Sequence, residues 1–170
     1  INYPEHLTSA GSYIFYGCEK LTSITVPEGV TALPDNIFYA AEHLQAVVLP
    51  STLTAIGDNA FLHCSGLQTI TLPESLQTIG SNAFSGCTRL ASIPLPDGIT
   101  EIGARAFSSC RYIRHVTLPK ALTVIGANAF NDCTTLNHVT FGENLTTIEN
   151  GAFWSSGLYS ADLPESLVTI

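Results

Sequence analysis

A phenylalanine recurs every 23 residues along this 170-residue chain. The seven positions are Phe15, Phe38, Phe61, Phe84, Phe107, Phe130 and Phe153. A fixed period of this length predicts a solenoid, because each repeat is one coil that buries its apolar side only against neighbouring coils. The period predicts a single domain over residues 1–170 with about seven coils, and it argues against ordinary enzyme scaffolds.

Each coil contains two extended segments followed by a tight turn. Apolar and polar residues alternate over 69–72 and again over 76–79, which predicts two short strands. Pro73 separates the two segments, because proline has no N–H to donate to a strand ladder. Gly80 then turns the chain, and we expect Asn82 to cap a single helical turn that follows it.

The shared frame, Leu-x-x-Ile-x-Leu-Pro-x-x-Leu-x-x-Ile-Gly-x-x-Ala-Phe-x-x-Cys, resembles the BspA-like leucine-rich repeat over the whole chain. The resemblance implies a leucine-rich-repeat solenoid with short parallel strands and one short helical turn per coil. Members of this family are typically surface or secreted proteins of bacteria and some protozoa, and several are regarded as adhesins. The resemblance thus implies an extracellular or cell-surface location, and it carries over no catalytic residues.

Both ends of the chain fall inside the repeat. Pro4 aligns with Pro27, and Ile170 aligns with Ile148. Neither end carries the polar capping unit that terminal repeats normally have. We therefore expect residues 1–170 to be a fragment of a longer protein, without its caps.

The balance of charge argues against two classes of partner. Fourteen acidic and six basic side chains give a net charge of −8. Nucleic-acid binding needs clustered Lys and Arg, and anionic membranes also attract basic surfaces. No apolar run approaches the roughly 20 residues of a spanning helix. The expected partner is therefore a protein or a glycan of a host or neighbouring cell.

All five cysteines lie in one column, three residues after a phenylalanine. They are Cys18, Cys64, Cys87, Cys110 and Cys133. Zinc sites need ligands that converge on one point, often as closely spaced cysteine pairs, whereas every spacing here is 23 or a multiple of it. We expect buried free thiols that act as small hydrophobic side chains. Disulfides between neighbouring coils are the alternative, and we expect no metal or cofactor.

Five of the six basic residues fall within 32 residues of an otherwise acidic chain. They are Arg89, Arg105, Arg111, Arg114 and Lys120, and His115 lies beside them. One interpretation is a basic band that steers an anionic partner. The alternative is a scatter of solvated side chains, because the five occupy different columns of the repeat.

Two histidines share an outward column of the first predicted strand. His115 and His138 should therefore lie one coil apart on the same sheet. Two imidazoles at this spacing could share a metal ion, but no third ligand is evident beside them. Adjacent exposed polar side chains explain the pair equally well. Pro94 lies in the same region, and we expect it to remove a ladder hydrogen bond there.

Three aromatic side chains occupy the column directly after the phenylalanine: Tyr16, Tyr39 and Trp154. Exposed aromatic rings in a row suit contact with a sugar or a protein. The alternative is that they cover the edge of the core. The outward positions of the first strand are mostly Thr, Ser and Gln, which favours a shallow interface over a small-molecule pocket.

The chain contains none of the common catalytic motifs. It has no phosphate-binding glycine loop, no Gly-x-Ser-x-Gly, no His-Glu-x-x-His and no calcium loop. We therefore expect a non-catalytic, adhesin-like module that recognises a protein or glycan. A structural spacer, or a targeting module of a secreted multidomain enzyme, are the alternatives.

Overall fold

The computed structural model describes residues 10–170, so the alignment of Pro4 lies outside the described residues. The chain is a parallel β-solenoid whose coils repeat every 23 residues, which confirms the predicted fold class. Two columns of short strands run along it, and we call them the front and back sheets. The front strands are β1 (Ser23–Thr25), β3 (Ala46–Val48), β7 (His115–Thr117) and β9 (His138–Thr140). The back strands are β2 (Ala32–Leu33), β4 (Ala55–Ile56), β5 (Thr78–Ile79), β6 (Glu101–Ile102), β8 (Val124–Ile125) and β10 (Thr147–Ile148).

The back sheet is continuous across six strands, in the order β2-β4-β5-β6-β8-β10. Its register pairs Leu33 with Ile56 and Ile56 with Ile79. These apolar residues are buried, while the residue before each is outward or partly exposed. Period-2 alternation therefore places one apolar row inside the solenoid and one row of mixed polarity at its surface.

The front sheet is interrupted in the middle of the array. β1 pairs only with β3, and β7 pairs only with β9. Between them, residues 69–72 form a single bridge, from Thr69 to Ser92, in place of the predicted strand. Pro94 follows this bridge in the next coil, and it has no N–H with which to continue the ladder.

The phenylalanine side chains form a stacked column through the core. Adjacent ring centroids lie 5.0–5.5 Å apart, and the ring planes are within 18° of parallel. The five inner rings, from Phe38 to Phe130, are completely buried. Each inner ring is thus shielded from water by the rings of the two neighbouring coils. Aromatic pairs of this kind stabilise the folded state by more than their buried apolar area alone would.

Glycine follows four of the six back strands, β4, β5, β6 and β8, where the coils approach closely. A Cβ atom at Gly57 would lie 2.8 Å from the Leu33 carbonyl oxygen. At Gly103 it would lie 2.6 Å from the Ser81 nitrogen. Any side chain at these positions would push backbone against backbone, so the coils stack closely only because glycine recurs there.

The expected helical turn is replaced by consecutive tight turns, and no helix occurs within residues 10–170. Ser85 donates its N–H to the Asn82 carbonyl at 3.0 Å, and Cys87 donates to Phe84 at 3.1 Å. Asn82 itself has a φ of 53°, in the left-handed region. An N-cap residue usually has extended backbone angles, whereas asparagine also tolerates the left-handed conformation. Asparagine recurs here because of this backbone conformation.

The stacked column predicts that an inner ring contributes more stability than a terminal one. Phe84→Ala should lower the free energy of unfolding by about 3–5 kcal/mol, because it opens a cavity between two coils. Phe153→Ala should lower the free energy of unfolding by less, because Phe153 lies at the end of the column and is only half-buried. Urea denaturation followed by circular dichroism measures both values. Equal losses for the two variants would contradict the account of the column.

Candidate functional site

Exposed aromatic side chains lie together near the N-terminal end of the described array. The rings of Tyr16 and Tyr39 are 5.1 Å apart, as their shared column predicts. Tyr13 contacts Tyr16 edge-on at 6.0 Å, and His63 lies 6.0 Å from Tyr39. We call these four side chains the aromatic row. Tyr16 is 54% exposed and Tyr39 is half-buried, so the row both presents rings to solvent and covers part of the core edge.

The sequence pattern missed two members of the aromatic row. Tyr13 stands in the column that is mostly asparagine, and His63 stands two residues after its phenylalanine rather than one. Both have left-handed backbone, with φ of 62° and 61°. The signal that could have found them is the pair of left-handed positions in each coil, which project side chains next to the tyrosine column.

Trp154 lies apart from the aromatic row, although it shares the same column of the repeat. It is 69% exposed and stands five coils beyond Tyr39. At about 4.8 Å per coil the separation is roughly 24 Å. Trp154 instead borders a cavity of about 880 Å³ at the end of the array, against Phe153 and Ile148. The structure therefore does not join the three predicted aromatic residues in one site.

Two of the five clustered basic side chains are paired with acids from neighbouring coils. Arg111 donates to the Asp132 carboxylate through Nη2 at 2.6 Å and through Nε at 3.1 Å. Lys120 Nζ lies 2.8 Å from Asp97 Oδ2. The Arg111 hydrogen bond lowers the pKa of Asp132, and the Lys120 hydrogen bond lowers the pKa of Asp97. These pairs neutralise part of the charge that suggested a basic band.

Three arginines remain for an anionic partner. Arg89, Arg105 and Arg114 are exposed, and their side chains form no ion pair within residues 10–170. Arg105 has a φ of 57°, because it replaces the asparagine of other coils. The three stand at different positions of their coils, so the repeat does not bring them into one column.

The two histidines of the front sheet lie side by side. His115 and His138 are register partners in β7 and β9, and both are exposed. Thr140 Oγ1 lies 3.4 Å from His138 Nε2. No group of three or more metal-ligating side chains occurs in the part of the chain that the structure describes. The pair therefore stands on the surface as adjacent polar side chains.

The cysteines are free thiols, as predicted. Four of them are buried, and each donates Sγ–H to the carbonyl of a phenylalanine in the preceding coil; one example is Cys87 to Phe61 at 3.2 Å. Burial raises the pKa of Cys64 to about 12 and that of Cys87 well above its ordinary range. Cys18 is only half-buried. The four buried members thus add inter-coil hydrogen bonds to the core, and burial keeps their thiols protonated.

The strand columns, the stacked rings and the 23-residue period define a leucine-rich-repeat solenoid. The family model for the BspA type leucine rich repeat region matches residues 1–114 and 54–170, with six copies. The chain belongs to this family. No curated protein sequence matches it. No helix long and apolar enough to cross a bilayer occurs within residues 10–170.

Three solved structures show how widely this arrangement is shared. The leucine-rich repeat protein of T. pallidum is 29% identical, with a TM-score of 0.85, and the match covers 91% of this chain and 75% of that one. A leucine-rich cell surface protein of Faecalibacterium prausnitzii is 31% identical, with a TM-score of 0.83, over 87% of this chain and 43% of that one. A leucine-rich repeat protein of Bacteroides ovatus is 27% identical, with a TM-score of 0.75, over 98% of this chain and 52% of that one. The chain thus spans about half the length of the last two.

The burial of the cysteine column predicts strongly unequal reactivity. In the native protein iodoacetamide at about pH 8 should label Cys18, which is only half-buried. The other four thiols are buried and protonated, and such thiols are unreactive. Cys64, Cys87, Cys110 and Cys133 should react only after denaturation. Mass spectrometry of peptides before and after unfolding measures this. Rapid native labelling at Cys87 would contradict the prediction.

The raised thiol pKa values also predict a loss of stability in alkali. Unfolded thiols ionise near 9.0, whereas Cys64 stays protonated to about 12 in the folded chain. Above about pH 9 the unfolded state therefore holds fewer protons, and the free energy of unfolding falls by about 1.4 kcal/mol per pH unit for each such thiol. In Cys64→Ala this decline should be shallower, as measured by urea denaturation across alkaline pH. Ala41, which occupies the same column, supports alanine as a tolerated replacement.

Proposed function

We propose that the chain is a non-catalytic recognition module of a surface or secreted protein, and that it binds a protein or glycan of a host or neighbouring cell. The aromatic row is the observation that carries this proposal. Rings held side by side on a rigid array offer large contact area at little cost in side-chain entropy, and such residues dominate many interfaces. The name of the F. prausnitzii neighbour, a cell surface protein, supports an extracellular location.

The interior of the array supports a binding role over a catalytic one. A continuous cluster of buried phenylalanine, cysteine and aliphatic side chains runs through the inner coils. Within residues 10–170 the pKa values that shift strongly are those of buried thiols, whose high values suppress nucleophilic chemistry. Recognition on the outer surface needs neither a cavity nor an activated group.

The continuous back sheet supports a second candidate, a structural spacer. Six strands paired in register make a rod whose length grows with the number of coils. A spacer needs this rigidity but not the aromatic row. Binding therefore separates the two candidates, because a spacer predicts no saturable partner.

The aromatic row should carry binding energy. Screening the chain against immobilised extracellular-matrix proteins and glycans should give a saturable partner. Replacing Tyr16 and Tyr39 together with alanine should weaken that binding by about 2 kcal/mol, or roughly thirtyfold. Tyr159→Ala is the matched control, because Tyr159 is 82% exposed and makes no ring contact within the described coils. Unchanged affinity in the double variant would remove the row from the proposal.

The three arginines without an ion pair should set how strongly salt affects the same binding. Replacing Arg114 with Glu should lower affinity most at low ionic strength, because exposed charges are screened over about 8–10 Å. Arg111→Glu should have a smaller effect on steering, since Arg111 already pairs with Asp132. Surface plasmon resonance at several salt concentrations measures both. An affinity that does not change with salt concentration in any variant would exclude a role for these arginines.

A further inference from the structure

The interruption of the front sheet leaves backbone groups without partners. In the regular part of the sheet the N–H of Val26 donates to the Val48 carbonyl of the next coil at 2.9 Å. Three equivalent N–H groups at the interruption make no hydrogen bond within residues 10–170; they are those of Leu49, Leu72 and Leu95. Buried or half-buried backbone N–H groups are nearly always paired in native proteins, so we expect these groups to donate to water or to a ligand.

At two junctions between neighbouring coils the front strands are not hydrogen-bonded to each other, and we call these junctions the seams. The first seam lies between β3 and residues 69–72, and the second lies between residues 92–95 and β7. No backbone hydrogen bond crosses either seam among the described residues. Between the seams, the bridge from Thr69 to Ser92 and a 3.1 Å hydrogen bond from Ala91 to Gln68 still join the two central coils.

A surface cleft occupies each seam. The first has a volume of about 380 Å³, and its lining includes Val47, Val48, Leu49, Thr71 and Pro73. The second has a volume of about 210 Å³ and is lined by Ser92, Ile93, Pro94, Leu95, His115 and Thr117. Leu49 lines the first cleft and Leu95 lines the second, so two of the three unpaired N–H groups belong to residues of the clefts. That of Leu72 lies between the two central coils.

The chemistry of the clefts selects a neutral ligand that both donates and accepts hydrogen bonds. Unpaired backbone groups and the hydroxyls of Thr71 and Thr117 supply both kinds of partner. The second cleft is lined by no carboxylate, lysine or arginine side chain. In the first, both carboxylate oxygens of Glu28 already accept hydrogen bonds from Ser51. A hydroxyl-rich ligand matches these groups better than an ion.

Both clefts also offer apolar surface beside the polar groups. Val48 is 59% exposed at the first cleft, and Pro94 is exposed at the second. The carbon-bound hydrogens on the flat face of a sugar ring pack well on such side chains, while the ring hydroxyls reach the backbone. This combination of an apolar platform and a few placed polar groups is typical of ligand sites.

We propose that the two seams form a binding site for a neutral linear polysaccharide that runs along the front face, across the coils. The seams are two coils apart, about 10 Å at the usual strand spacing, so alternate rings of one extended sugar chain can occupy both. A peptide fits less well, because an added strand needs a continuous free sheet edge, whereas each seam is enclosed by stacked coils. This inference rests on the proposed recognition function and assigns it a ligand class.

The decisive variant is Pro94→Thr, which restores the threonine that Thr71 and Thr117 provide in the same column. It restores a backbone N–H to residue 94. That N–H can take part in strand pairing between the two central coils. We expect the melting temperature to rise by about 2 °C or more. Lost binding in this variant therefore cannot result from unfolding.

The probes are neutral β-1,4-linked hexasaccharides of glucose, N-acetylglucosamine and mannose, measured by isothermal titration calorimetry. We expect at least one to bind, and Pro94→Thr to weaken it by about tenfold or more. Val48→Glu should weaken it as well, because it places a charge in the first cleft. Val168→Glu is the matched control, since Val168 is 83% exposed and outside both clefts.

Three outcomes would overturn the inference. The first is that no hexasaccharide binds, and the second is that Pro94→Thr leaves its affinity unchanged. The third is that an extended peptide, rather than a sugar, binds at the seams. If the Tyr16 and Tyr39 double variant alone abolishes binding, recognition by the aromatic row stands and the seam site fails. The two proposals therefore fail separately.

Discussion

Contact between identical positions of successive coils is the constraint on which this structure depends. No coil can bury its phenylalanine alone, and the ring of Phe84 is dry only because Phe61 and Phe107 cover its two faces. The cysteine hydrogen bonds and the back-sheet ladder follow the same rule, since each joins one coil to the next. The free energy of unfolding is therefore approximately a sum of contributions from single coils and from contacts between neighbouring coils. A local feature can be present in one coil and absent from the next.

Much of the fold could be predicted because the period is exact where packing demands it. The inward rows, the buried thiols and the side-by-side histidines all follow from column membership. The helical turn was wrong because asparagine suits both an N-cap and a left-handed residue, and composition alone cannot separate them. A strand over 69–72 was also wrong, since its ladder depends on Pro94 in the next coil rather than on its own residues.

The surface was harder to predict than the core, because some of its contacts join different columns of the repeat, as Arg111 and Asp132 do, while others, such as Lys120 and Asp97, join one column. Arg111 pairs with Asp132 and Lys120 with Asp97, so charges that cluster in sequence are partly neutralised in space. Tyr13 joins the aromatic row from a column that elsewhere holds asparagine. Such pairs depend on where side chains point at left-handed positions, which column arithmetic does not specify.

The two sheets give the array opposite mechanical properties on its two sides. The back sheet has six paired strands without a break, whereas the front side is interrupted at the two seams. A bending force therefore meets backbone hydrogen bonds on one side and few on the other around residues 69–95. The curvature of the array can therefore change around these residues while the back sheet stays paired.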